Sequence, residues 1–95
     1  MNRAVWTMPA KADLERIDEQ YEEIDADYAD RVGRAAIRAS DFLADFSHAG
    51  EEVAPDHRRW RVPATRYVLI YRIATAGVEI LRVRHERENW RSELL

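Results

Sequence analysis

The side chains able to do chemistry in this chain are few. There are three histidines (His48, His57 and His85), fourteen arginines beside the single lysine Lys11, a run of carboxylates, and no cysteine. The missing thiol excludes disulfides, thiolate nucleophiles and thiolate metal sites. His48 and His57 only flank a loop, and the acids between Glu15 and Asp30 lack histidine companions and convergent spacing. They read as a solvated helix face, so no metal and no cofactor is implied. His85 stands alone near the end of an extended segment. Nothing beside it completes a triad, and a lone histidine there reads first as a structural hydrogen-bond partner. Arg82 and Arg84 alternate in step with Val78 and Ile80, and as exposed partners of helix acids they would each contribute about 0.2–1 kcal/mol. Trp90 reads first as a packing ring and second as a contact for a target.

These residues need a scaffold, and the chain is long enough for a single domain over 1–95. No apolar run approaches the roughly 18–20 residues that cross a bilayer. The opening MNRAVWTMPA lacks a continuous apolar core after its basic start, so no secretory signal is read and a cytoplasmic setting is expected. Arg3 to Thr7 alternates weakly and suits a short strand. Thr7 and Pro9 then supply a cap and a first-turn proline. Ala10, Leu14, Ile17, Tyr21, Ile24 and Tyr28 follow at helical spacing, and after a break near Asp27 to Asp30 a second stripe runs through Val32, Ala36, Ala39, Leu43 and Phe46. Gly33 and the alanines around it would let the two helices approach closely in a hairpin. His48 to Gly50 reads as a glycine stop, and Glu51 to Pro55 as loop. From there the period becomes two: His57 to Val62, Arg66 to Ile73 and Val78 to His85 read as three strands of an antiparallel meander. The expected fold is α+β, strand-helix-helix-strand-strand-strand (βααβββ), an antiparallel sheet packed against an N-terminal helical hairpin.

Charge follows the same division. Residues 1–54 hold six basic against thirteen acidic side chains, and residues 55–95 nine against five, giving −7 and +4. A basic sheet face would meet an acidic partner, phosphate or carboxylate. Within Arg66 to Ile73 both alternating faces are apolar, Tyr67, Leu69 and Tyr71 on one side and Val68 and Ile70 on the other. Two helices cover one face well, which leaves the other for a partner or for the C-terminal tail. A plain nucleic-acid module is disfavoured by the overall acidity and the lack of obviously exposed stacking rings, and a purely structural role remains an alternative because fold does not fix function.

Three blocks in order resemble the ParE side of the RelE/ParE toxin superfamily: VWTMPAKADLERI, RRWRVPATRYVLIYRI and GVEILRVRHERENW. The resemblance implies the RelE/ParE-like fold and a toxin of a type II toxin-antitoxin system, associated with plasmid stabilisation. Such a toxin forms a hetero-oligomer with a cognate antitoxin, whose C-terminal segment wraps it and folds on binding. It implies inhibition of DNA gyrase without catalysis. Arg82, Arg84, His85 and Trp90 would form the target-binding edge, supported by Arg59 and Arg61, and Tyr67, Leu69 and Tyr71 the antitoxin contact. The alternative is a ribosome-dependent mRNA endonuclease of the RelE/YoeB type, acting on ribosome and message, with His85, Arg59 and Arg61 as its candidate catalytic residues. Attack by a 2′-hydroxyl needs a base, cations for the pentacovalent phosphate and an acid. Val68 stands where that branch has an arginine, and Glu86 where it has a tyrosine, and a carboxylate there would oppose the developing charge.

Overall fold

The computed structural model describes residues 2–94. Its elements run β1 (Arg3–Trp6), α1 (Met8–Tyr21), α2 (Ala26–Asp45), β2 (Glu51–Ala54), β3 (His57–Arg61), β4 (Tyr67–Ala74), β5 (Gly77–His85) and a C-terminal 3-10 turn (Trp90–Leu94). One five-stranded sheet is formed, in the order β1-β5-β4-β3-β2. The expected meander is present as β3, β4 and β5, each antiparallel to the next, and both helices lie on one face. β1 joins the outside of β5 in parallel, Arg3 opposite Gly77 and Trp6 opposite Ile80. Gly77 is required there: its φ is 139°, and a Cβ would overlap the Arg3 backbone.

Thr7 links strand to helix. Its hydroxyl accepts from the Ala10 amide at 3.4 Å as the N-cap of α1 and donates to the Ile80 carbonyl of β5 at 2.8 Å. The first helix ends earlier than its apolar spacing suggests. The Tyr21 carbonyl accepts from both Ile24 and Asp25, and Asp25 caps α2 by accepting from the Tyr28 amide at 3.0 Å. Tyr28 therefore belongs to α2, and Ile24 stands at the hairpin tip, 79% exposed. Ala29, Ala36 and Ala39 are buried and permit close packing, whereas Gly33 does not: a Cβ there would meet nothing.

Two expectations in the middle of the chain are corrected. Glu51 to Ala54 is a strand rather than a loop, because Glu51 and Glu52 lie opposite Arg59 and Arg58 and the Glu51–Arg59 pair closes at 3.0 Å. Gly50 is not the stop of α2, which ends at Asp45 with Phe46 as its cap. Gly50 is there for space: a Cβ would overlap the Tyr71 hydroxyl and the Arg59 carbonyl. That buried hydroxyl accepts from the Gly50 amide at 2.9 Å and donates to the Ser47 carbonyl at 2.8 Å, tying the loop to the sheet. The main core, with Ile17, Val32, Leu43, Leu69, Tyr71 and Ile80 at its centre, lies between helices and sheet. Gly50→Ala is expected to lower stability by about 1–3 kcal/mol through overpacking, read as a lower urea midpoint; an unchanged midpoint would show that this contact gives way freely.

Candidate functional site

The face of the sheet away from the helices is where the basic strands gather their charge. Its register forms two rows, Arg59–Ile70–Arg82 and Arg61–Val68–Arg84, running across β3, β4 and β5. Val68 and Ile70 form a small second core, covered by Trp90 from the C-terminal turn and flanked by Val53. Trp90 is 4% exposed, and the Arg59 and Arg91 guanidiniums lie over its ring at 5.9 and 4.5 Å.

Arg82 and Arg84 reach this face because of an irregularity. Ile70 pairs with Arg82 but Tyr71 pairs with Ile80, so Leu81 is an extra residue in β5. Such a bulge inverts the alternation beyond it. Val83 therefore joins Val78 and Ile80 in the main core, and the arginines do not share their face, as strict alternation implied. Thr7 holds the bulge, its hydroxyl 2.8 and 3.3 Å from the Ile80 and Leu81 carbonyls.

β1 pairs with β5 only as far as Ile80, so the next stretch of that edge needs another partner. Asp13 of α1 supplies it. Its carboxylate, 1% exposed, accepts the Val83 amide at 3.0 Å and both Nε and Nη2 of Arg82 at 2.8 Å. Arg84 approaches it to 3.2 Å and also holds Glu93 of the C-terminal turn at 2.8 Å. Burial raises the Asp13 carboxyl, but the Arg82 and Val83 hydrogen bonds and the two guanidinium charges outweigh it, so its pKa lies below the ordinary 3.8. The arginines thus pair with a helix acid, as a buried network rather than an exposed pair.

The three residues a nuclease would use are not assembled. His85 lies opposite Tyr67 in the register and faces the helix side, edge-on to that ring at 5.3 Å. Its Nδ1 accepts from the Arg87 amide at 3.2 Å. Arg59 and Arg61 lie on the other side of the sheet. Glu86 approaches Arg61 to 3.7 Å and Arg66 to 3.6 Å, reducing the positive charge there. Tyr67 offers no base either, since burial and the neighbouring Tyr21 phenol hold its hydroxyl well above the ordinary range. Among the described residues, no group of three or more His, Cys, Asp or Glu is placed to hold a metal.

The expected antitoxin contact is corrected by burial. Tyr67, Leu69 and Tyr71 are 4%, 0% and 0% exposed beneath the helices, so they form the inner face of the sheet and present no surface. Arg84 and Trp90 are also buried, and fix the C-terminal turn. A surface feature missing from the sequence reading lies between the end of α2 and β3, where Phe46, Phe42 and Trp60 stack in a ladder with centroids 4.9 and 5.3 Å apart. The i, i+4 spacing of the two phenylalanines is the available signal, obscured because Phe46 also falls in register with the core stripe.

The architecture is that of a small α+β domain, two helices on one face of a five-stranded mixed sheet. A chain of the solved structure described as a chromosomal ParDE TA system from P. aeruginosa superposes with a TM-score of 0.76 at 20% identity, over 90% of this chain and 96% of that one. At that identity the likeness is one of fold. Membership rests on sequence: the model of the ParE toxin of type II toxin-antitoxin system, parDE, matches residues 4–90, and the chain belongs to that family. No curated protein matches it in sequence.

Asp13→Asn is expected to cost about 3–5 kcal/mol, because it removes the buried charge that Arg82 and Arg84 share and leaves only Glu93, at the exposed end of the network, beside Arg84. The depressed carboxyl contributes stability above the ordinary value of 3.8 that is lost as pH falls below it. Urea midpoints measured against pH should drop at the acid end for the native chain, with a shallower drop for the variant. Parallel curves would show that Asp13 does not carry this dependence.

Proposed function

We propose that this chain is a toxin held inactive in the cytoplasm by a cognate antitoxin and that, when released, it acts on DNA gyrase as a binding poison and not as a nuclease. Membership of the ParE family supports the toxin reading. The observation that carries the choice of target is the split of the candidate catalytic set, with His85 on the helix side of the sheet and Arg59 and Arg61 on the other. A nuclease must bring base and cations to one phosphate, and Glu86 beside Arg61 works against the charge that would develop there.

On this reading Arg59, Arg61 and Arg82 supply the contact to the target, Arg84 and Trp90 hold the C-terminal turn against their face, and His85 marks the edge. Purified chain is expected to inhibit gyrase supercoiling and leave cell-free translation intact, with Arg59→Glu weakening inhibition about tenfold, the loss of one interfacial charge contact. Cut messages with normal supercoiling would overturn the choice of gyrase, and co-expression with the product of an adjoining short reading frame should restore growth.

A further inference from the structure

The aromatic ladder between α2 and β3 opens into a trough that meets the proposed target-binding face only at Arg61. From Phe42 the trough passes Trp60 and the Pro63–Ala64 turn and ends at Tyr28 and Tyr21, as three adjoining hollows of about 410, 390 and 480 Å³. Its upper end is apolar, walled by Ala35, Ala39, Phe42, Trp60 and Pro63. Phe42 and Phe46 are 41% and 58% exposed, a contiguous patch rather than scattered single residues. The floor is rigid: the Thr65 hydroxyl donates to the Val62 carbonyl at 2.9 Å and accepts from the Tyr67 amide at 3.1 Å.

The charge lining the trough has one sign. Arg38, Arg61 and Arg66 border it and, among the described residues, no carboxylate lines it, in a chain whose net charge is −3. Among the described residues Arg38 has no ion pair. Arg61 and Arg66 share Glu86 at long range and remain 66% and 63% exposed. An occupant must therefore bring apolar side chains for the Phe42–Trp60 wall and carboxylates for Arg38 beside it and for Arg61 and Arg66 further down.

The geometry points to a segment of the antitoxin as that occupant, an acidic peptide with apolar side chains laid from the Phe42–Trp60 wall towards Tyr28. The assignment rests on the antitoxin reading above and moves the contact from the buried Tyr67, Leu69 and Tyr71 to the exposed seam between α2 and the β3–β4 turn. Nucleic acid fits less well. The rings stack on one another at 22° and 29°, so both faces of the central Phe42 are taken, and the apolar end presents carbon where a phosphate backbone needs donors.

The test uses the full chain and, as probe, the purified product of the short reading frame adjoining its gene. Isothermal titration should give a tight complex with the native chain. Phe42→Ala combined with Arg38→Glu should weaken it about 100-fold, on the scale of two central interface residues, while Arg59→Glu on the other face changes it by less than about threefold. Circular dichroism confirms that both variants fold. Hydrogen exchange should show protection in 38–46 and 57–66 of the complex. Native affinity retained in the double variant, or protection confined to 68–70 and 90–94, overturns the trough assignment with the antitoxin reading intact. Failure of the native chain to bind overturns both. Binding of single-stranded RNA through Phe42 and Arg38, or self-association lost in the same variant, would assign the trough to another occupant and overturn the proposal.

Discussion

One carboxylate holds the two halves of this molecule together. A parallel strand that stops after four residues leaves the rest of its neighbour's edge open, and the unpaired amide at Val83 must be satisfied if it is to be buried. Asp13 reaches down from α1 to accept it. In the low-polarity space it thereby enters, its charge needs cations, which Arg82 and Arg84 bring around the strand edge. Helix docking, edge protection and placement of the basic residues are thus a single arrangement. Arg84 extends it to Glu93 and so to the C-terminal turn that shields Val68 and Ile70. A buried ionic group of this kind adds little net stability over a well-packed apolar one, but it strongly penalises any arrangement that separates its members.

The sheet's two faces owe their separate roles to the extra residue at Leu81. Without it, Arg82 and Arg84 would point under the helices and Val83 would point outwards. Thr7 holds the irregularity from the far end of the chain while also capping the first helix. The same bulge leaves His85 on the side away from Arg59 and Arg61. A local deviation in one strand therefore determines which residues can act together.

Much of this was legible in the residues because the signals were local. The proline and threonine at the start of α1, the alternation of β3 to β5 and the heptad-like stripe of α2 each depend on neighbours within a turn or a pleat. What could not be read depends on distant partners. The bulge leaves no mark in VEILRVRH, whose alternation looks regular, so the face of Arg82 and Arg84 was misassigned. β2 looked like a loop because Glu51 and Glu52 are poor strand formers until Arg58 and Arg59 lie across from them. Gly50 carried a familiar helix-end appearance, while its actual reason, the Tyr71 hydroxyl, lies 21 residues away. In the candidate site the residue types were read correctly as basic and apolar, but burial reversed the two faces of β4, since Tyr67 and Tyr71 carry large rings and, with Leu69 between them, fill the deeper side beneath the helices.

The pairing of Arg3–Trp6 with Gly77–Ile80 also has a consequence in time. During synthesis the first strand and α1 emerge early but have no sheet to dock on, and the edge that Asp13 completes does not exist until β5 has followed. Closing so distant a pairing is entropically slow. The nascent chain can form its helical hairpin and little more, so the arginine rows come into register only after translation is nearly finished. The basic face is thereby the last part of the molecule to be assembled, and a partner meeting the nascent chain would meet the helices before that face exists.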